Sequence, residues 1–197
     1  LGLPVVLVNR AGASNWGDRV VAENARAGQL AARILIDSGA TCLGCLVPRK
    51  KTFSVSGRAK AFFSAAASEG LPTEVLYAED QGYEDARIGI NETDRAIFGR
   101  IDGLFCSTDL MAIGALDALR IDLSIAVPEQ IQVLGFDDIE QANWGSFNLS
   151  TIRQDIDDQT YTVVRLLKER IADNTLANRV ERQRLTVVLR GTTLHDG

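Results

Sequence analysis

The sequence predicts an α/β protein with parallel sheets, and three observations indicate this class. Strand-like apolar runs alternate with segments of helical periodicity along the chain, which is the pattern of β-α-β units. Two of these runs lead directly into polar pairs, Thr108-Asp109 and Asp137-Asp138. Ligands of open parallel sheets gather just beyond the carboxyl ends of the strands. The 197 residues contain no repeat and no low-complexity segment, and they suffice for one large core or two small ones.

The N-terminal half is predicted to contain four strands and three helices. Glycines or prolines end the first two helices, as expected at helix C-termini. The predicted strands are 4–9, a short one near 20–21, 43–47 and 74–77, and the predicted helices are 24–37, 56–69 and 83–98.

The C-terminal half continues the alternation of strands and helices. Residues 103–107 form an apolar strand before the helical pattern that starts at Leu110, and 131–136 form a second buried strand. Residues 154–172 are predicted to form a long helix, and 184–190 a final strand. The apolar stripe of that long helix is predicted to be Ile156, Val163, Val164, Leu167 and Ile171, at helical spacing.

Composition argues against a nucleic-acid surface or a membrane span in this chain. The net charge is −5, and the densest basic cluster, residues 49–51, is expected to be a solvated loop. No apolar run approaches the roughly 20 residues of a membrane span. The opening residues lack the basic region and cleavage site of a signal peptide, so we expect a cytoplasmic protein.

The cysteines are interpreted as core thiols. Cys42 and Cys45 form a CxxC motif, which also occurs in redox sites and zinc sites. They lie in a predicted strand, where positions three apart point to opposite faces. There is no second CxxC, and the single histidine, His195, is in the C-terminal tail. We therefore predict free thiols, no bound metal and no cofactor.

Seven blocks of this sequence, in order and spacing, resemble the effector-binding core of the LacI/GalR family of transcriptional regulators. The blocks are PVVLVNR, VAENARAGQLAARILIDSG, SVSGRAKAFFSAA, GLFCSTDLMAIGALDAL, VPEQIQVLGFDDIE, LSTIRQDID and RLTVVLRGTT. The resemblance covers nearly the whole chain. It implies a two-lobe fold of the type I periplasmic-binding-protein-like class, with parallel sheets.

The resemblance also implies where the lobes divide. Residues 22–152 and 182–197 would form the C-terminal lobe, and residues 1–21 and 153–181 part of an N-terminal lobe that is incomplete in this chain. The helix-turn-helix DNA-binding domain with which members of the family begin is absent from it. Operator DNA would therefore be bound only through that N-terminal domain, by a homodimer.

The family's effector-binding positions fall on Asn9, Arg58, the pair Thr108-Asp109 and Asp137. A carboxylate accepts hydrogen bonds from two vicinal hydroxyls, and an arginine donates to ring or hydroxyl oxygens in a fixed geometry. The resemblance thus implies a sugar or a similar polar metabolite, bound in the cleft between the lobes. The family usually has Asn at the position of Thr108.

Each of these residues also has a purely structural interpretation. Arg58 can pair on a helix surface, Thr108 or Asp109 can cap the following helix, and Asp138 can form the turn. We favour the ligand role for Arg58 and Asp137, and the structural role for Thr108 and Asp138. Trp16 is added as an aromatic platform for a sugar, because it lies in a polar loop where a core role is hard to explain.

The expected function is allosteric control of transcription by a small-molecule effector. The alternative is the solute-binding receptor of a sugar transporter, which shares the two-lobe fold. An enzyme is not expected, because one tail histidine provides no nucleophile–histidine pair and neither GxGxxG nor a phosphate-binding loop is present.

Overall fold

The fold contains two mainly parallel sheets and six α-helices in the described part of the chain, with a short π-helix at Ala118–Asp122 and a short 3-10 helix at Glu140–Asn143. The computed structural model describes residues 3–9, 17–50 and 52–194. In chain order the elements are β1 (Val6–Val8), β2 (Asp18–Ala22), α1 (Asn24–Asp37), β3 (Leu43–Pro48), α2 (Phe53–Ser68), β4 (Thr73–Ala78), α3 (Tyr83–Glu92), α4 (Arg95–Phe98), β5 (Gly103–Cys106), α5 (Asp109–Asp117), β6 (Gln132–Asp137), β7 (Ser150–Gln154), α6 (Ile156–Ala172), β8 (Val180–Gln183) and β9 (Leu185–Val188).

The chain divides into two compact units. The smaller consists of residues 1–23 and 154–186, and the larger of residues 24–153 and 187–197. The sequence-based boundaries lie at 21/22, 152/153 and 181/182, whereas residue 153 contacts mainly the larger unit and residues 22–23 and 182–186 the smaller one. The reason is β8, which the sequence analysis did not predict and which pairs in parallel with β2.

The six-stranded sheet has the order β4-β3-β5-β6-β7-β9. Its pairs from β4 through to β7 are parallel, so the carboxyl ends of β3, β5 and β6 lie along one edge. Strand β7 was not predicted, because its short sequence STIRQ leads directly into a helical pattern. This edge of the sheet is where the predicted ligand-binding side chains of the larger unit occur.

Helices cover the sheet of the larger unit in two packed pairs, α1 with α2 and α3 with α5. Alternate residues of β5 contact different helix pairs. Leu104 and Cys106 belong to the buried cluster around α3 and α5. Phe105 instead stacks on Phe62 of α2, with 5.3 Å between the ring centroids. This period-two alternation is the pattern of a parallel strand buried on both faces.

At the opposite edge of the sheet, Asp102 connects the start of β5 to the chain entering β3. Its carboxylate accepts hydrogen bonds from the amides of Thr41 and Cys42 at 2.8–2.9 Å and from the Thr41 hydroxyl at 2.7 Å. Cys42, Cys45 and Cys106 are buried free thiols.

Two predictions about helices were wrong. The predicted helix 83–98 is interrupted: α3 ends at Glu92, and the side chain of Asp94 caps the separate helix α4 by accepting from the Ala96 amide at 2.9 Å. The stripe predicted for α6 is also wrong, because Ile156 and Ile171 are 57% and 67% exposed.

The buried residues of α6 are Gln159, Leu166 and Arg170 instead. Arg170 reaches the core of the smaller unit as an ion pair. Its guanidinium donates two hydrogen bonds of 2.9 Å to Asp18, a fully buried carboxylate at the start of β2. Arg179 adds a second ion pair to Asp18 at 2.8 Å. No helix in the described part of the chain is long and apolar enough to span a membrane.

Candidate functional site

Arg58 is a buried arginine near the start of α2. The helix begins after Thr52, whose hydroxyl accepts from the Val55 amide and so caps the first turn. The Arg58 side chain is only 5% exposed, and its Cζ lies 4.0 Å from the centroid of the Phe136 ring. Nη1 donates to Asn24 Oδ1 at 3.1 Å, whereas the buried Nε has no hydrogen-bond partner among the described residues. One donor of this cation is therefore still unsatisfied.

A close approach of two helices fixes the backbone at Arg58. Gly28 of α1 packs against it so tightly that a Cβ at Gly28 would lie 2.1 Å from the Arg58 carbonyl oxygen. Any larger residue at this position would push α1 and α2 apart. Gly28 therefore sets the distance between α2 and α1, the helix that carries Asn24.

Burial and a nearby carboxylate act on Arg58 in opposite directions. Burial lowers the pKa of Arg58 to about 10, and the negative charge of Asp137 opposes this shift. The side chain thus remains a cation at neutral pH, while its desolvation makes an additional acceptor favourable. Asp137 lies at the end of β6 and is partly buried.

The backbone after β6 turns through two unusual conformations. Asp137 has φ = 128° and Asp138 has φ = 62°, both in the region that favours glycine. The two adjacent carboxylates consequently differ in their surroundings. The side chain of Asp138 is only 7% exposed and pairs with Arg153 at 2.5 Å and with Arg190 at 2.8 Å. Asp138 is therefore used to hold the turn.

Asp109, in the first turn of α5, is fully buried. Its Oδ1 accepts from the Thr151 hydroxyl at 2.6 Å, and its Oδ2 accepts from the Ile139 amide at 3.0 Å. Burial raises the pKa of Asp109 to about 6, with a further contribution from the charge of Asp137, although these hydrogen bonds oppose the shift. Both oxygens are thus used inside the larger unit, which favours a structural role.

Thr108 serves as the N-cap of α5. Its hydroxyl accepts from the Met111 amide at 3.3 Å, so the oxygen that could bind a ligand already has a partner. This contact agrees with the structural interpretation of Thr108.

The two remaining candidates are Asn9 and Trp16, of which only Asn9 lies in the described part of the smaller unit. Asn9 follows β1 with φ = 51°, and its Oδ1 accepts from the Ala22 amide at 3.1 Å, while the residue as a whole is exposed. This contact does not decide its role towards a ligand, and Asn9 stays a prediction. Trp16 lies outside the described residues.

Of the predicted site residues, the larger unit brings Arg58 and Asp137 together and uses Thr108 and Asp109 for local structure. Sequence reasoning missed Asn24 and Phe136, which hold the guanidinium of Arg58. Phe136 was interpreted only as part of a strand. A useful signal is its position directly before Asp137, where an aromatic ring and a carboxylate leave the same strand end.

The cluster formed by Arg58, Asp137, Asn24 and Phe136 can bind a polar ligand. It offers a cation with an unpartnered donor, a carboxylate and a side-chain amide at the carboxyl edge of a parallel sheet. Among the described residues, no group of three or more His, Cys, Asp or Glu side chains could hold a metal ion.

Comparison with known proteins gives consistent results. Residues 32–193 match a family model described as a periplasmic binding protein-like domain. The HTH-type transcriptional repressor PurR of Vibrio parahaemolyticus is 29% identical over 191 residues, which cover 96% of this chain and 57% of the repressor. The chain thus spans little more than half the length of this curated relative.

Solved structures share the fold. A LacI-type transcription regulator from Bifidobacterium animalis has a TM-score of 0.85 and 27% identity, covering 96% of this chain and 71% of that one. A LacI family regulator from Enterococcus faecalis, solved with bound ribose, has a TM-score of 0.85 and 20% identity, covering 96% of this chain and 68% of that one.

Proposed function

This chain belongs to the periplasmic binding protein-like domain family, and we propose that it is the effector-sensing module of a LacI-type transcriptional regulator. The effector is a sugar or a similar polar metabolite. The observation that carries this proposal is the buried Arg58 guanidinium, packed over Phe136 and facing the charge of Asp137 at the carboxyl edge of the sheet.

The chemistry of the cluster supports a polyhydroxylated ligand. Arg58 provides hydrogen-bond donors in a fixed plane, and Asp137 provides acceptors that suit a pair of neighbouring hydroxyls. A ring oxygen or hydroxyl that reached the unpartnered Nε of Arg58 would remove the cost of leaving that donor unsatisfied. The ribose in the Enterococcus faecalis regulator is a ligand of this chemical class.

In the full-length protein the effector controls DNA binding at a distance. A ligand shifts a conformational equilibrium only to the extent that it binds the two states with different affinity. We propose that the protein acts as a homodimer, with operator DNA bound by an N-terminal helix-turn-helix domain. Its localisation would accordingly be cytoplasmic.

The alternative of a transporter's solute receptor is less favoured. The curated relative that aligns with 96% of this chain is a transcriptional repressor, and the structures compared above are transcription regulators. Catalysis is not part of the proposal either, because Asp138 and Asp109 are paired inside the larger unit and so are not available as acid–base partners of Asp137.

The proposal is tested by native mass spectrometry of the full-length gene product. The protein would be incubated with pentoses, hexoses, disaccharides, nucleosides and purine bases. We expect one ligand per chain, drawn from the sugars. Binding of a purine base alone would contradict the ligand class, and the absence of any bound metabolite together with the absence of DNA binding would contradict the function.

Variants then locate the site by calorimetry. Arg58→Ala and Asp137→Ala should each weaken binding of the identified metabolite about ten- to a hundredfold, since each removes a charge-assisted hydrogen bond worth about 1.5–3 kcal/mol. Arg33→Ala, an exposed arginine of α1, is the control and should bind normally. If Asp138→Ala weakened binding and Asp137→Ala did not, the site would need to be moved by one residue.

A further inference from the structure

Asp109 occupies an unusual position beneath the turn that follows β6. Gly135 lies two residues before Asp137, and a Cβ at Gly135 would lie 2.1 Å from Asp109 Oδ1. Only glycine allows the carboxylate to approach the β6 backbone this closely. From that position the carboxylate holds two separate elements, β7 through the Thr151 hydroxyl and the turn through the Ile139 amide.

The turn itself needs external support. Asp137 and Asp138 both have positive φ, which is unfavourable for a residue with a Cβ and persists only where the surroundings impose it. On one side the Asp138 carboxylate is held by Arg153 and Arg190. On the other side the buried Asp109 carboxylate accepts from the backbone amide that immediately follows the turn.

We propose that Asp109 is a positioning residue, whose buried carboxylate holds the strained Asp137–Asp138 turn and thereby aims the Asp137 side chain at the effector. The role of the Asp137 orientation in effector binding rests on the proposed function. The stabilisation of the turn by Asp109 does not rest on it. Asp109 therefore acts through Asp137 and does not contact the ligand.

The charge state of Asp109 determines how well it holds the turn. The charged group that raises the pKa of Asp109 is Asp137 from β6. Cys106 from β5 is a neutral thiol whose own pKa is raised by burial and by the charge of Asp109, and the Asp138 carboxylate pairs with its two arginines. Since burial raises the pKa of Asp109 to about 6, the group is ionised above neutral pH and mostly protonated near pH 5. A protonated carboxyl is a weaker acceptor for the Ile139 amide, so acid should loosen the turn.

Global stability should respond to this group in the opposite direction. A carboxyl whose pKa is higher in the folded state binds protons preferentially when folded, so its contribution to stability increases as the pH falls from about 6 towards 4. Loosening of the turn in acid can therefore be distinguished from general acid unfolding.

The test is hydrogen–deuterium exchange of the full-length protein without any ligand, followed by mass spectrometry. Protection factors, corrected for intrinsic exchange, would be compared at about pH 7.5 and about pH 5, on either side of the pKa of Asp109. In the wild type, protection of residues 137–140 should decrease about tenfold on acidification. In Asp109→Asn it should be low and equal at both pH values.

Asp102→Asn is the matched control. Asp102 is also an aspartate that accepts backbone amides, but it does so at the other edge of the same sheet, from Thr41 and Cys42. This variant should loosen residues 40–43 and leave residues 137–140 unchanged. Thr151→Val, which removes the hydroxyl donor and keeps the Asp109 carboxylate, should reduce protection of the turn less than Asp109→Asn does.

Two results would overturn the proposal. One is unchanged protection of residues 137–140 in a folded Asp109→Asn protein, and the other is a loss of protection spread evenly over the six-stranded sheet. If Asp109→Asn does not fold, the pH dependence of the wild-type turn decides the question alone. A metabolite screen without any sugar binding would contradict the proposed function and leave this result intact.

Discussion

The guanidinium of Arg58 lies over the ring of Phe136, with Cζ 4.0 Å from the ring centroid, and the residue that follows the ring is Asp137. One strand end thus provides both an aromatic face and a negative charge to one buried cation. A cation held in this way has few alternative rotamers, so its remaining donors keep a fixed direction.

The first prediction concerns this ring. Phe136→Leu keeps an apolar residue in the core but removes the π face. We expect effector affinity to decrease about two- to thirtyfold, because a desolvated cation–π contact contributes about 0.5–2 kcal/mol. Calorimetry with the metabolite identified by mass spectrometry measures the change.

The control for Phe136 is Phe105→Leu. Phe105 is equally buried, on the neighbouring strand β5, but stacks on Phe62 and not on Arg58. It should lower thermal stability without changing affinity. Equal losses of affinity in both variants would show that Phe136 acts only as core.

The second prediction separates Asp138 from Asp137. Asp138→Asn leaves Arg190, which is 11% exposed, and Arg153 without their carboxylate. Removing one partner of a largely buried pair costs about 3 kcal/mol, which should appear as a lower free energy of unfolding in urea. Asp80→Asn, which breaks an exposed pair with Lys50, should leave urea stability unchanged. If Asp138→Asn left the free energy of unfolding unchanged, other contacts would have to hold the turn.

The third prediction uses two helical glycines. Gly57, in α2, has room for a methyl group, because the nearest heavy atom to a Cβ at this position would be Asn24 Cβ at 3.5 Å. Gly57→Ala should therefore raise stability by about 0.5–1 kcal/mol through helix propensity. Gly28→Ala should do the reverse, because its Cβ would meet the Arg58 carbonyl oxygen at 2.1 Å. Thermal unfolding of both variants checks the pair, and stabilisation by Gly28→Ala would refute the close packing of α1 and α2.

The fourth prediction concerns acid stability. Burial would raise the pKa of Asp18, but hydrogen bonds from Arg179 and Arg170 outweigh it and hold the pKa well below its usual range. A carboxyl with a lowered folded pKa stabilises the fold above its unfolded value of about 4, and this stabilisation is lost as the pH falls further. The wild type should therefore lose stability steeply below about pH 4, as measured by urea unfolding at several pH values.

In Asp18→Asn the acid dependence should be flatter and the neutral-pH stability lower. Asp37→Asn, an exposed acid of α1 paired with Arg33, is the comparison and should follow the wild type. An unchanged acid profile in Asp18→Asn would show that other carboxylates dominate acid unfolding.

Much of the site could be predicted from the sequence, because it depends on where strands end. The position of Asp137 follows from the apolar run before it. Because strands β3, β5 and β6 pair in parallel, the end of β6 lies at the same edge of the sheet as the end of β3, from which the chain continues into α2. The sequence could not separate the roles of adjacent acids. Asp138 is held by arginines 15 and 52 residues away, and such partners leave no local pattern.

The fold was predictable where hydrophobic periodicity dominates, as in α1 and β3, whose predicted bounds differ from the structure by at most one residue. In the smaller unit the sequence predicted β1, β2 and α6, but neither β8 nor the buried face of α6. Helix α6 buries Arg170 while it exposes Ile156 and Ile171, because Asp18 provides a partner for the arginine. Periodicity of apolar residues does not detect a helix whose buried face is partly ionic.

The pairing of Asp18 with Arg170 also determines the order in which the chain can be assembled during translation. The two residues are 152 positions apart, and nearly all of the larger unit lies between them. At a synthesis rate of about 5–20 residues per second, the ribosome makes Asp18 roughly 8–30 seconds before its partner. Until then the carboxylate must stay hydrated, and β2 has no β8 to pair with. The continuous segment 24–153 can begin folding in that interval, before β2 obtains its ion-pair partner Arg170 and its neighbouring strand β8.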